Sequence, residues 1–189
     1  MLQKRIVITG APGTGKTAVI DQLETDGFFC FHEVIRKMTA AAKAEDNQKN
    51  QVTNPLLFVE DPMLFNTNLL ALRKEDFHKA KEYKEQSLFF YDRGMPDVMA
   101  YMDYFGQSYP HWFREVCEKH SYDKVYVMPP WSDIYRNDNE RLETFEEAKA
   151  LDTYLTKTYQ ALGYQVIVVP KTTIEKRVEF ILNTLIGNP

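Results

Sequence analysis

Five short runs of apolar residues recur along the 189-residue chain, each closed by polar or turn-forming residues. They are typical of buried strands and cover 5–9, 28–31, 87–92, 124–128 and 165–169. Between them, apolar residues recur at the spacing of helices, from about 16 and 33 onward and over 55–83, 96–105, 109–119, 146–162 and 173–185. This alternation predicts an α/β fold with a parallel sheet and helices on both faces.

A glycine-rich loop lies between the first predicted strand and the first predicted helix. The residues Gly10-Ala-Pro-Gly-Thr-Gly-Lys-Thr17 match GxxxxGK[ST] in the context that this pattern requires. The glycines let successive N–H groups turn inward, and the helix N-terminus adds partial positive charge where a phosphate would bind. The alternative is a structural glycine-rich turn that happens to contain a lysine, for which neither feature would be required. We therefore predict a nucleotide-binding loop made of Gly10, Ala11, Pro12, Gly13, Thr14, Gly15, Lys16, Thr17 and Ala18.

Within this loop, two side chains have predicted chemical roles. Lys16 is expected to contact the β- and γ-phosphates, and the Thr17 hydroxyl to ligate Mg²⁺. We expect the bound nucleotide to be ATP, with GTP as the alternative. The Asn-Lys-x-Asp element with which switch GTPases recognise guanine does not occur, which argues against guanine recognition of that kind.

The end of the third predicted strand indicates the class of P-loop protein. Ring-forming motors carry Asp-Glu there, whereas this strand ends in Asp92-Arg93 and so lacks the glutamate that activates water. Small-molecule kinases often carry Asp-Arg at this place, with a carboxylate at the end of the second strand, which Glu33 supplies.

These residues receive candidate roles in phosphoryl transfer. Asp92 is predicted to coordinate Mg²⁺ directly or through water, and Arg93 to face the transferring phosphoryl group. Glu33 is the candidate base, the alternative being an acidic residue in a first helical turn. Arg36, one turn later, is either its ion partner or a phosphate contact.

A polar segment after the fourth predicted strand is a candidate lid, at approximately 131–145. It contains Arg136 and Arg141, which are predicted to close over the phosphates and exclude water; the alternative is a solvated helix with Arg–Glu pairs. Asp97 and Tyr101, which are four residues apart, are candidates for acceptor contacts, as is Arg36. The many aromatic residues around them are otherwise typical of core packing.

The composition and charge of the chain limit the binding partners that we expect. The chain has 27 acidic and 23 basic residues, a net charge of −4, which argues against nucleic acid binding. No stretch is apolar enough for a transmembrane helix or a signal peptide, so we expect one cytoplasmic domain over 1–189, with the oligomeric state left open. The two cysteines are expected to be reduced.

Several motifs together resemble an AAA-named P-loop NTPase family that contains the ribosylnicotinamide-kinase domain of NadR and related nucleotide-binding trafficking proteins. The matching segments cover nearly the whole chain: 10–17, 32–36, 91–97, 126–130, 136–141, 164–170 and 175–177. The resemblance implies a three-layer, ATP-binding, kinase-like fold whose five parallel strands have the order 2-3-1-4-5. It does not imply a motor, because the Asp-Glu pair and a separate helical lid domain are missing.

The sequence therefore supports two hypotheses of different kinds. The first is a Mg²⁺-dependent phosphotransferase that uses ATP and acts on a nucleoside-like or other small-molecule hydroxyl. The second is a nucleotide-dependent binding or regulatory module, or an ATPase, without a small-molecule acceptor.

Overall fold

Five strands and six α-helices form the part of the chain described by the computed structural model, which is residues 3–35, 61–135 and 143–186. The strands are β1 (Lys4–Thr9), β2 (Phe29–Phe31), β3 (Leu88–Asp92), β4 (Lys124–Val127) and β5 (Val166–Val168). The helices are α1 (Lys16–Thr25), α2 (Pro62–Lys79), α3 (Pro96–Tyr104), α4 (Trp112–Lys119), α5 (Phe145–Ala161) and α6 (Ile174–Ile186). A single 3₁₀ turn, Ala80–Glu82, follows α2.

All five strands are parallel and lie in the order β2-β3-β1-β4-β5, which confirms the predicted topology. The central strand β1 pairs with β3 on one side and β4 on the other, so that Val7 lies beside both Tyr91 and Val125. The direction of winding reverses at β1. The carboxyl end of this strand is therefore the topological switch point, where open α/β sheets bind their ligands.

Alternation along β1 divides the core into two clusters on opposite faces of the sheet. Ile6 and Ile8 pack against α1 and α6, whereas Val7 packs against residues from the β3–α3 connection, α3 and α5. These three β1 side chains are completely buried. The sequence therefore forms three layers because each face of a fully buried parallel strand needs its own helices.

Local signals set where two of the helices begin. The Asp61 carboxylate accepts a hydrogen bond from the Leu64 N–H at 2.9 Å, and Pro62 occupies the first turn of α2. Thr144 and Glu147 form a reciprocal capping box at the start of α5. Helix α5 therefore begins at Phe145, one residue before the predicted start at 146. Helix α4 begins at Trp112, two residues after Pro110, and not at the predicted residue 109.

Within the described part of the chain, no helix has the length and apolar character needed to cross a membrane.

Replacement of the cap residue tests how much the local signal at α5 contributes. Thr144→Ala removes the hydroxyl that accepts the Glu147 N–H at 3.2 Å, and we expect it to lower the free energy of unfolding by about 1 kcal/mol in a urea titration. Thr153→Ala, in the interior of the same helix, is the matched control and should be neutral or slightly stabilising. Equal losses in both variants would contradict a capping role.

Candidate functional site

Three glycines in the loop between β1 and α1 occupy positions that disfavour a side chain, two because of their φ angles and one because of a close backbone contact as well. Gly13 and Gly15 have φ angles of 77° and 84°, in the left-handed region. Gly10 has φ 146°, and a Cβ atom there would lie 2.4 Å from the Met128 carbonyl oxygen on the neighbouring β4 connection. The loop is therefore pressed against the sheet and turned in the manner of phosphate-binding loops.

Lys16 is held by its own loop. Its Nζ donates to the carbonyl oxygens of Gly10 and Ala11 at 2.8 and 2.9 Å, and the Thr14 hydroxyl also donates to the Ala11 oxygen. Burial, reinforced by the positive charge of Arg93, lowers the pKa of Lys16 to about 7, although carboxylates nearby act in the opposite direction. The ammonium group thus has only partial compensation for the loss of water.

Two oxygen-bearing side chains flank the lysine. Thr17 follows it in the first turn of α1, and Asp92 ends β3, where it lies opposite Ile8 of β1 and is buried. A hydroxyl and a carboxylate are the hard ligands that Mg²⁺ takes in proteins, usually one or two of them together with water and substrate phosphates. The hydroxyl of Thr17 and the carboxylate of Asp92 therefore fit Mg²⁺ bound together with a nucleotide. Over the described ranges there is no cluster of three or more His, Cys, Asp or Glu residues placed to hold a metal ion.

Beside the loop, two guanidinium groups and two carboxylates form a buried network. Glu33 accepts from Arg73 Nη2 at 2.9 Å and from Arg93 Nε at 2.6 Å. Arg93 Nη1 in turn donates to Asp97 at 3.1 Å, and Arg73 Nη1 donates to the Gly94 carbonyl oxygen at 3.0 Å. All four side chains have little exposure to solvent, and their formal charges cancel.

The arginines keep both carboxylates ionised. Burial opposes the charged form of Glu33, but the guanidiniums of Arg73 and Arg93 outweigh it and hold the pKa of that carboxyl below its ordinary value. The same balance lowers the pKa of Asp97, with hydrogen bonds from Thr9 and Tyr159 contributing.

Arg93 has an unusual backbone conformation. Its φ of 72° is the one positive value at a non-glycine residue in the described ranges. Such a conformation costs on the order of 1–3 kcal/mol and persists where the surroundings dictate it. Here the Arg93 N–H donates to the Ile8 oxygen at 3.0 Å, and its guanidinium lies 5.1 Å from the centre of the Tyr101 ring.

The structure brings together Lys16, Glu33, Asp92 and Arg93, and it places Tyr101 against Arg93. Glu33 lies two residues beyond the end of β2 and not at its last position. Arg36, Arg136 and Arg141 fall outside the described residues, as do residues 136–142 of the predicted lid.

Sequence reasoning did not assign three residues that the fold brings to the site: Arg73, Tyr159 and Arg177. Arg73 shares the buried face of α2 with Leu69, Leu70 and Phe77, and a cation on an apolar helix face is a signal that could have identified it. Arg177 of α6 is buried, donates to the Thr14 carbonyl oxygen at 3.1 Å and stacks 4.9 Å from the Trp131 ring centre.

The sheet order and the loop define a P-loop protein with a nucleotide-kinase-like fold. A family model described as an AAA domain matches residues 5–177. The chain belongs to that family, as its motifs predict. No match is found among curated proteins.

Solved kinases have a similar fold. A deoxyadenosine kinase from M. mycoides with bound dCMP and dCDP is 17% identical, with a TM-score of 0.67 over 96% of this chain and 98% of that one. NadR in complex with NR is 14% identical, with a TM-score of 0.74 over 99% of this chain and 53% of NadR. A thymidylate kinase from Candida albicans is 13% identical, with a TM-score of 0.70 over 97% and 91%. At these identities the similarity establishes the fold.

Removing one buried arginine should unbalance the charge network. We expect Arg73→Met to lower the free energy of unfolding by about 3–5 kcal/mol, because Glu33 would keep only one of its two cations. Arg114→Met breaks a half-exposed pair with Glu118 and serves as the control, with an expected loss below about 1 kcal/mol. Chemical denaturation measures both, and a loss from Arg73→Met no larger than the control would contradict the network.

Proposed function

We propose that this protein is a Mg²⁺-dependent phosphotransferase that moves the γ-phosphoryl group of ATP, or of GTP, to the hydroxyl of a nucleoside-like small molecule. The observation that carries the proposal is the Glu33–Arg93 ion pair beside the P-loop, at the carboxyl end of the central strands. At this edge of the sheet, the carboxylate can accept the proton of an acceptor hydroxyl, and the guanidinium can donate to an oxygen of the transferring phosphoryl group.

The residues of the P-loop then bind and orient the phosphates. Lys16 would leave the Gly10 and Ala11 carbonyl oxygens and donate to the β- and γ-phosphates. Thr17 and Asp92 would hold Mg²⁺, which neutralises phosphate charge when bound. Arg93 would stabilise charge on the transferring group, and we propose that Arg136 and Arg141 join it from segment 131–145 and exclude water.

Glu33 is the proposed proton acceptor. Because the two arginines keep it ionised at neutral pH, it can orient the acceptor hydroxyl and take its proton. The lowered pKa makes Glu33 a weak base. A weak base suits phosphoryl transfer, in which the transition state is loose and the attacking oxygen needs little activation beforehand.

A nucleoside-like acceptor is supported by the kinases that share the fold. They include a deoxyadenosine kinase and a thymidylate kinase, and NadR in complex with NR has the same fold. We propose Tyr101 and Arg36 as acceptor contacts, since the Tyr101 ring already lies beside Arg93. Hydrolysis has less support, because Arg93 follows Asp92 where a water-activating glutamate would stand.

We further propose that residues 1–189 act as a single domain. The contact between Arg177 of α6 and Thr14 of the P-loop supports this, because it joins the last helix to the first loop.

A second candidate is a nucleotide-dependent binding module. The observation that favours it is the saturation of Glu33, since each of its oxygens already accepts from an arginine. An acceptor hydroxyl would have to displace one of these contacts or share an oxygen with it.

A phosphorus NMR screen with Mg-ATP or Mg-GTP and a panel of nucleosides tests the first proposal. We expect a new phosphomonoester signal with at least one acceptor, and a loss of about 10²–10³-fold in rate for Lys16→Met, which removes a donor to the transferring group. Lys119→Met, on the exposed surface of α4, should leave the rate unchanged. If only inorganic phosphate forms, the protein is an ATPase and the first proposal is wrong. If no product forms while nucleotide slows hydrogen exchange, the binding module is the correct function.

Nucleotide affinity should depend on pH through Lys16. With a pKa of about 7 in the free protein, this lysine is mostly neutral at pH 8 to 9 and must take up a proton to bind phosphate. We therefore expect ADP affinity to fall as the pH rises from 7 to 9, approaching a tenfold loss per unit. Calorimetry in buffers of different ionisation enthalpy should show uptake of nearly one proton at pH 8.

Lys16→Met is the control for the pH dependence, because it removes the titrating group. It should bind ADP weakly and with little pH dependence over the same range. Proton release on binding to the wild-type protein, or an equal slope in the variant, would contradict this role for Lys16.

A further inference from the structure

Asp97 is completely buried and uses both of its carboxylate oxygens within the protein. Oδ1 accepts from the Thr9 hydroxyl at 2.5 Å and from Arg93 Nη1 at 3.1 Å. Oδ2 accepts from the Gly94 N–H at 3.0 Å and from the Tyr159 hydroxyl at 2.6 Å. Four donors and no exposure leave little opportunity for a direct acceptor contact, which is the role that the sequence suggested for Asp97.

The contacts of Asp97 fix the orientation of the Arg93 guanidinium. That group donates through Nε to Glu33 and through Nη1 to Asp97, and its Cζ atom lies over the Tyr101 ring, 5.1 Å from the ring centre. A planar group that is hydrogen-bonded through two of its three nitrogens cannot rotate about the Nε–Cζ bond without breaking a contact. Its second terminal nitrogen, Nη2, makes no hydrogen bond to the described residues and so keeps its N–H groups for another acceptor.

Tyr159 reaches Asp97 from α5, the helix that follows segment 131–142. Tyr159 is completely buried. A Cβ atom on residue 94 would lie only 2.5 Å from the Tyr159 hydroxyl oxygen, which is too close for any residue but glycine. Glycine at position 94 therefore opens the path for this hydroxyl. Thr9, the last residue of β1, holds Asp97 from the opposite side and directly precedes the P-loop.

We propose that Asp97 is a positioning residue that sets the angle at which Arg93 presents its Nη2 nitrogen to the γ-phosphate, and that Tyr159 holds Asp97 in place. Helix α5 thereby contributes to recognition of the γ-phosphate without touching the nucleotide. This inference rests on the proposed function for the identity of the ligand, but the immobilisation of Arg93 can be measured without any ligand.

The first test measures rotation of the Arg93 guanidinium by NMR in the ligand-free protein. We expect separate Nη1 and Nη2 signals in the wild-type protein, because rotation about the Nε–Cζ bond is blocked. Tyr159→Phe, which removes only the hydroxyl, and Asp97→Asn should merge or broaden these signals. Tyr159→Phe retains the packed ring and keeps the test decisive if Asp97→Asn does not fold.

Tyr164→Phe is the matched control. The Tyr164 ring packs against Tyr159, and its hydroxyl accepts a hydrogen bond from the Tyr122 N–H at 3.0 Å. The variant therefore removes a hydroxyl with a comparable structural role but no contact with Asp97. The control should lose a similar amount of stability and keep the Arg93 signals of the wild type.

The second test uses the affinities for ADP and for a nonhydrolysable ATP analogue, both with Mg²⁺. Tyr159→Phe should weaken binding of the triphosphate analogue by about tenfold through misorientation of Arg93, while ADP binding stays within about twofold. Tyr164→Phe should leave the ratio of the two affinities unchanged. In an Arg93→Lys background, Tyr159→Phe should have no further effect on this ratio.

The outcomes separate this inference from the proposed function. Fixed Arg93 signals in Tyr159→Phe, or an unchanged triphosphate-to-diphosphate ratio in a variant that binds ADP normally, would overturn the inference. If the wild-type protein bound neither nucleotide, the γ-phosphate part of the inference would fail together with the proposed function. Separate Arg93 signals in the wild-type protein and merged signals in Tyr159→Phe would then still support the immobilisation of Arg93 by Tyr159 and Asp97.

Discussion

The burial of two guanidiniums against two carboxylates, at the carboxyl end of β3, is the constraint on which the rest of the structure depends. None of these charges could be buried alone, because the loss of hydration would cost several kcal/mol per ion. Each must therefore meet its partners with good geometry. The partners come from the segment after β2, from α2, from the β3–α3 connection and from α3, so the network fixes how these elements pack together.

The same network explains why the strained conformation of Arg93 persists. An arginine at φ 72° would relax if its side chain were free, but contacts to Glu33, Asp97 and Tyr101 all depend on that backbone geometry. The sheet topology places this residue beside the P-loop, because β3 and β1 are neighbours and Asp92 lies opposite Ile8. Fold and candidate site therefore share one set of interactions.

The strand order, the layers and the P-loop could be predicted from the sequence, because each depends on a local pattern or on a family motif. The network could be predicted only in part. Asp92-Arg93 and Glu33 lie at or just after the ends of predicted strands, whereas Arg73 and Tyr159 are distant from them in sequence and contribute through tertiary contacts alone. The four-residue separation of Asp97 and Tyr101 predicts that they share a helix face, which suggested a common role as acceptor contacts. Sequence spacing does not show that the Asp97 carboxylate is buried and fully hydrogen-bonded within the protein.

Arg177 has a consequence for the order in which the protein is assembled. It contacts Thr14 across a separation of 163 residues, so the loop near the N-terminus has a partner in the last helix. A chain emerging from the ribosome contains the whole glycine-rich motif long before α6 exists. The loop reaches its final packing only when synthesis has passed this helix, and a nascent chain that lacks it has the motif without this support.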